Sequence, residues 1–183
     1  MPTIIAMLRG VNLGGHKLVK MEALRALCDS LQCRNTQTYV QSGNVVFSTK
    51  EKNLSKLTRR IEDGIEKSFG FRAAVIVRTP DEMRKAIAAN PFAKRELHPS
   101  KVIVVFLADE LTAETRNQLE AIKVGAEEVK AHAREIYIYY PDGMGKSKFP
   151  AAMERVLKKT GTARNWNSVT NLMEMAEKEE KGD

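Results

Sequence analysis

Apolar positions along the chain follow two rhythms, and each marks a kind of element. Thr3-Ile4-Ile5-Ala6-Met7-Leu8-Arg9 is short, apolar and closed by Gly10, the pattern of a buried strand. From Lys20 onward the rhythm changes: Met21, Leu24, Leu27, Cys28 and Leu31 recur at three- and four-residue steps. That spacing predicts a helix with one buried face. Residues 36–41 and 45–48 are rich in β-formers and flank Ser42-Gly43-Asn44, a hairpin signal because Gly and Asn tolerate positive φ. Leu54, Leu57, Ile61 and Ile65 make a second amphipathic helix, and Ala73 to Val77 another strand. The order is β-α-β-β-α-β, the ferredoxin-like arrangement.

Thr79-Pro80-Asp81-Glu82 then carries the signs of a helix start: a capping Thr, a Pro at the first helical position and a Glu that can complete a capping box. Asn90-Pro91 closes that helix, since the residue before a proline avoids the helical region. The theme then returns. Val102 to Leu107 reads as a strand and Thr112 caps a helix to about Lys123. Glu128–Ala131 and Ile136–Tyr140 read as a hairpin, and Pro150 to Lys159 as helical. A last helix spans about Ser168 to Glu177, and the closing strand is missing or reduced to Thr162-Ala163-Arg164. The tail EKEEKGD is expected to fray. The prediction is an α+β protein of two tandem ferredoxin-like subdomains. Residues 1–79 form the first, 80–100 a connecting helix and loop, and 101–183 the second, with a reduced last strand and an extra C-terminal helix.

Charge sharpens this picture. Residues 1–100 hold 17 Lys and Arg against 9 Asp and Glu, whereas residues 101–183 hold 13 against 14. A field concentrated on one half favours an anionic partner, either a phosphate-containing small molecule or nucleic acid. No apolar run approaches the ~20 residues of a membrane span, and no signal peptide is visible, so the expectation is a soluble cytoplasmic protein with no membrane partner. Cys28 and Cys33 stand five residues apart in CDSLQC. On a continuous helix they would be separated by ~500° and would not share a face, which predicts two reduced cysteines near a core helix. Neither they nor His16, His98 and His132 have metal-ligand spacing, so no metal and no cofactor is expected.

Three loops carry candidate chemistry. In Arg9-Gly10-Val11-Asn12-Leu13-Gly14-Gly15-His16-Lys17, glycines between strand and helix could expose N–H groups to a phosphate or carboxylate, with Arg9 and Lys17 supplying charge. The Walker pattern fails, because His16 and Lys17 follow Gly15 where Lys and Ser or Thr are required. Tight-turn glycines with solvated charges are the competing reading. Tyr140-Pro141-Asp142-Gly143-Met144-Gly145-Lys146-Ser147 ends correctly for a phosphate loop, but Tyr140 replaces its first glycine, which favours a turn with Ser147 as helix cap. In Thr162-Ala163-Arg164-Asn165-Trp166-Asn167-Ser168, Trp166 reads as the anchor of the final helix, while Arg164 and Asn165 could face a cleft. The hairpin residues Tyr39 and Phe47 are too few for an RNA-recognition sheet, and core packing explains them. No nucleophile–base–orienter set can be assembled, so catalytic residues are unassigned.

LRGVNLGGHKLVKMEAL, TYVQSGNVVF, Asn90-Pro91-Phe92, KVIVVFL, GMGKSK and TARNWNSVTNL together resemble the bacterial family called domain of unknown function 1697. The resemblance implies two ferredoxin-like subdomains and no known activity. Its motifs fall on Arg9, Gly10, Asn12, Gly14, Tyr39, Ser42, Gly43, Asn44, Ser147, Arg164, Asn165 and Trp166. The expectation is a ligand site drawn from Arg9, Gly10, Asn12, Gly14, Lys17, Tyr39, Ser42, Asn44, Ser147, Arg164 and Asn165, binding a nucleotide, nucleic acid or other phosphate compound. The alternatives are an enzyme acting on a small phosphorylated metabolite, and a protein-interaction module using an exposed sheet edge.

Overall fold

The computed structural model describes residues 1–158 and 160–182, so Lys159, the expected end of one helix, and Asp183, the last residue of the tail, lie outside the described residues. The chain divides into two compact units, Met1–Lys85 with Thr170–Asp183, and Ala86–Val169. One division falls within the 80–100 connection and the other inside the last helix.

In the first unit β1 (Thr3–Leu8), α1 (Met21–Ser30), β2 (Arg34–Tyr39), β3 (Asn44–Ser48), α2 (Leu54–Phe69) and β4 (Val75–Arg78) follow one another. Their antiparallel sheet has the order β2-β3-β1-β4. Every residue of β1 and β3 is buried, as expected of central strands. Ile4, Ala6, Leu8, Val45 and Phe47 pack one sheet face against Leu24, Leu27, Leu57, Ile61 and Ile65 of the two helices. The α1 and α2 periodicities are therefore the imprint of this one core. Helix α2 is bounded as its sequence directs, with the Asn53 side chain accepting the Lys56 N–H at 3.0 Å and Gly70 closing the helix at φ 78°.

Helix α3 (Pro80–Ala88) begins with a complete capping box: the Glu82 N–H donates to Thr79 Oγ1 at 3.2 Å and the Thr79 N–H to Glu82 Oε2 at 2.8 Å. The second unit then repeats the theme with β5 (Val102–Leu107), α4 (Ala113–Glu120), β6 (Glu128–His132), β7 (Glu135–Tyr139), α5 (Phe149–Val156) and β8 (Gly161–Asn165). Its sheet order, β6-β7-β5-β8, is that of the first. Ile103, Val105, Leu107, Ile136 and Ile138 pack against Leu119 of α4 and Phe149 of α5. Helix α6 (Trp166–Lys181) ends the fold. Both halves are thus ferredoxin-like. No helix among the described residues is long and apolar enough to cross a membrane.

Four expectations need correction. Strand β8 is neither missing nor reduced: all five residues pair with β5, from Ile103↔Asn165 to Leu107↔Gly161. It carries little apolar signal because two of its inward positions are the buried polar residues Thr162 and Arg164. Trp166 is half-buried and opens α6, so the burial of that helix rests on Val169, Leu172, Met173 and Ala176. The tail continues as helix to Lys181 instead of fraying from residue 177, tied by Glu179, which accepts hydrogen bonds from Ser48 at 2.6 Å and Asn35 at 2.9 Å. Finally, α1 stops at Ser30, so helical rotation does not separate Cys33 from Cys28.

Candidate functional site

Eight of the expected site residues lie at one end of the first sheet. Leu8 at the end of β1 pairs with Val75, and Met7 and Tyr39 both pair with Asn44, which brings the loops after β1 and β2 together. After Arg9, whose N–H donates to the Ala74 carbonyl at 2.8 Å, the chain makes a small hairpin instead of entering a helix. The His16 N–H donates to Leu13 O at 3.0 Å and the Asn12 N–H to Lys17 O at 3.1 Å. Gly14 and Gly15 form its tip with φ 57° and 78°, the paired positive values that a two-residue hairpin turn of this kind demands. Helix α1 starts only at Met21, with no side-chain cap from Lys20. The glycine turn therefore does not sit on a helix N-terminus, and the dipole expected to favour an anion there is absent.

Asn12 is the brace of this region. Its Oδ1 accepts the Val19 N–H at 2.8 Å, while Nδ2 donates to Val19 O at 2.9 Å and to Gln41 O at 2.6 Å. Across the contact, Asn44 Nδ2 donates to Tyr39 O at 3.0 Å and to Ser42 Oγ at 2.8 Å. Gly43 is held at φ 77° so close to its neighbours that a Cβ would lie 2.7 Å from Val11 Cγ2 and 2.8 Å from Leu8 Cβ. Asn12, Ser42 and Asn44 thus shape the loops. Lys17 Nζ donates to Arg72 O at 3.5 Å and sits 5.9 Å from the Phe71 ring. Arg9 is exposed, Tyr39 is half-buried, and Leu13, Leu18 and Val40 expose 64%, 67% and 53% of their surface around them.

The other three expected residues are in the second unit. Ser147, between β7 and α5, accepts the Phe149 N–H at 3.0 Å and donates to Glu127, but the N-cap of α5 is Lys148, without a side-chain cap, so Ser147 stands one residue before the expected capping position. Tyr140, the residue that spoils the phosphate loop, is buried with its ring edge-on to Phe149. Arg164 is buried on β8, where Nη1 donates to Thr162 Oγ1 and Ala163 O, both at 2.8 Å. Burial lowers its pKa to about 10. Asn165 caps α6 by accepting the Ser168 N–H at 2.9 Å.

A basic cavity of about 570 Å³ opens at the opposite end of the first sheet, where β1 begins, β3 ends and Arg34 pairs with Ser48. Arg34, Lys50, Lys56 and Arg60 line it, with Glu51 as its one carboxylate. The four cations arrive on three segments: Arg34 on β2, Lys50 just after β3, and Lys56 and Arg60 one turn apart on α2. Arg60 Nη2 donates to Leu31 O at 3.0 Å, and Lys56 Nζ lies 3.1 Å from Glu51. The Asn53 N–H, followed by Lys56, holds the Glu51 carboxyl below its ordinary range. None of these residues belongs to a sequence motif. The signal that could have found them is the basic surplus of the first hundred residues, combined with the i, i+4 spacing of Lys56 and Arg60. Among the described residues, no group of three His, Cys, Asp or Glu could hold a metal ion.

No curated protein matches the chain. Among solved structures, a conserved bacterial protein, SP0830 from Streptococcus pneumoniae, superposes with a TM-score of 0.74. The match covers 96% of this chain and 98% of that one at 18% identity, a likeness of fold alone. The sequence profile of the family described as protein of unknown function, DUF1697, matches residues 1–137, and the chain belongs to that family.

Proposed function

We propose that the protein is a cytoplasmic binder of an anionic, phosphate-bearing ligand, a nucleotide or a short stretch of nucleic acid, seated in the basic cavity of the first unit. The observation that carries this reading is the convergence of Arg34, Lys50, Lys56 and Arg60 on one cavity with a single carboxylate. A volume of about 570 Å³ falls within the ~300–1,000 Å³ usual for small-molecule sites. Arginine offers a planar fork to phosphate and lysine a point charge, and the cavity holds two of each. Binding is favoured over acid–base catalysis, because the one carboxylate has a depressed pKa and is ion-paired, a poor proton shuttle near neutral pH. Pairing through the β2 edge is disfavoured by the irregularity between Arg34 and Gln37, with Asn35 at φ 53°, the kind of bulge that protects edge strands.

The test is a thermal-shift panel of nucleotides, phosphosugars and short oligonucleotides on wild type, Lys50→Gln/Arg60→Gln and Arg9→Ala. A ligand at 100 times its Kd adds ~2.7 kcal/mol, a shift of roughly 5–11 °C for a protein of this size. The expected result is a hit lost in the double variant and kept in Arg9→Ala. For an oligonucleotide, affinity should also fall steeply with salt. A hit lost only in Arg9→Ala would move the site to the glycine hairpin, and no hit from any anion would end the reading.

A further inference from the structure

The end of α1 places two thiols together. The Gln32 N–H donates to Asp29 O and the Cys33 N–H to Cys28 O, both at 3.0 Å, with Gln32 in the left-handed region at φ 67°. This pair of bonds is the Schellman closure, which folds the residue two places beyond the cap back onto the one three places before its end. A hydrophobic contact usually fills those two positions, and here they hold the chain's two cysteines. Both are free and buried in the same core cluster. Each thiol is the largest single influence on the acidity of the other.

The two sulfurs have different surroundings. Cys33 is flanked in sequence by Gln32 and Arg34, both of which line the basic cavity, while its own side chain, like that of Cys28, packs in the core cluster. Arg60, also in the cavity wall, is anchored to the carbonyl of Leu31 in the turn itself. The Cys28 thiol, acting as hydrogen-bond partner, and then the Arg60 charge lower the Cys33 pKa against the opposing effect of burial. Cys33 and burial together raise that of Cys28. Cys33 is thus the more acidic thiol of the pair.

We propose that Cys28 and Cys33 form a reactive dithiol site that exchanges with low-molecular-weight disulfides, Cys33 attacking first and Cys28 resolving. The Cys33 thiolate attacks one sulfur of the small disulfide, whose S–S bond breaks, and the released thiolate takes a proton from water. Cys28 then loses its proton and attacks the Cys33 sulfur, expelling the second small thiolate. The external disulfide is reduced to two thiols while the protein dithiol is oxidised to a disulfide. The arrangement requires no phosphate ligand in the cavity, so this inference and the binding reading stand or fall separately.

The full chain is incubated with oxidised glutathione, quenched in acid, alkylated under denaturing conditions and weighed intact. With only two cysteines present, the reduced, singly adducted and disulfide-bonded chains have distinct masses, and peptide mapping places a single adduct. The wild type should lose two hydrogens and resist alkylation. Cys28→Ser should stop at one glutathione adduct on Cys33, Cys33→Ser should form little adduct, and Arg60→Gln in the Cys28→Ser background should slow adduct formation several-fold. The proposal is overturned if the wild type incubated in its folded state remains fully alkylatable, if its disulfide joins two chains, or if the first adduct forms on Cys28. Should either serine variant fail to fold, peptide mapping of wild type quenched at short times decides which sulfur reacts first.

Discussion

The two sheets share one strand order, central strands buried in the same way and helices in the same sequence, yet differ in what joins them. In the first unit the connection from β1 to α1 runs from Arg9 to Lys20 and folds into its own hairpin, whereas its counterpart from β5 to α4 runs only from Ala108 to Thr112. The hairpin loop of the first unit spans Val40 to Gly43, against Ala133-Arg134 in the second. Even a buried arginine recurs on the corresponding edge strands: Arg78 of β4 donates Nη1 to Val77 O at 3.0 Å, as Arg164 of β8 does to Ala163 O at 2.8 Å. The scaffold thus tolerates very different loops on one pattern of apolar strands. The longer forms of these two loops, the basic cavity and the dithiol all belong to the first unit, where the charge surplus lies.

The broadest way to break this likeness is to empty each core in turn. Phe47 and Phe149 are fully buried, one in each apolar cluster. Alanine at either site should cost about 3–5 kcal/mol through lost burial and a residual cavity. That lowers the melting temperature by roughly 6–20 °C. Similar losses in calorimetry would mean the two cores are equivalent supports; a loss confined to one would show that the shared topology hides unequal stability.

Next in size is Gly43→Ala, which attacks the loop pair that only the first unit has. The added Cβ would meet Val11 and Leu8 at under 3 Å while the backbone stays at φ 77°. Left-handed strain and overpacking together should cost about 2–4 kcal/mol. Backbone amides of residues 10–19 should lose hydrogen-exchange protection with those of 40–43, since Asn12 bonds the two loops. Unchanged protection would mean that the hairpin stands without its neighbour.

What was legible in the sequence follows the same division. The helices and central strands declared themselves because one-sided burial repeats at a fixed period, and Thr79 and Glu82 marked a boundary because capping is local. Strand β8 hid behind Thr162 and Arg164, polar residues whose burial is fixed by β5 alongside them and not by their own chemistry. The glycine loop looked like an anion cradle because composition cannot distinguish a hairpin tip from a helix entrance; the hydrogen bonds of Asn12 and His16 decide that. The cavity cations went unseen because Arg34, Lys50 and the Lys56–Arg60 pair are brought together by sheet register, not by spacing. The cysteines were separated by a helix that ends before the second is reached.

A gentler test lies in the short hairpin of the second unit. Ala133 holds φ 52°, a conformation that an alanine adopts only with strain. Ala133→Gly should relieve that strain, partly offset by the greater freedom of glycine in the unfolded chain, for a net gain of about 0.5 kcal/mol. Urea midpoints would register it. A loss of stability would mean that the Ala133 methyl contributes packing worth more than the strain.

The finest comparison is between Glu51 in the first unit and Glu128 in the second. Both carboxyls are held below the ordinary value of 4.5, Glu51 chiefly by the Asn53 N–H and Glu128 by Arg95. A folded-state value below the unfolded one stabilises the protein above the unfolded value, and that contribution is lost as pH falls through the folded value. Glu51→Gln and Glu128→Gln should therefore each flatten the fall in stability below about pH 4.5, and leave its pH dependence near neutrality unchanged. Both effects are small, since exposed pairs contribute little. Salt separates them. Arg95 acts on Glu128 as an ion pair at 2.7 Å and should be screened, whereas the backbone bond to Glu51 has no counter-charge to shield. Urea midpoints between pH 3 and 6 at low and high salt should show the Glu128 contribution shrinking first; equal shrinkage would assign the lowered Glu51 value to Lys56 instead of the loop backbone.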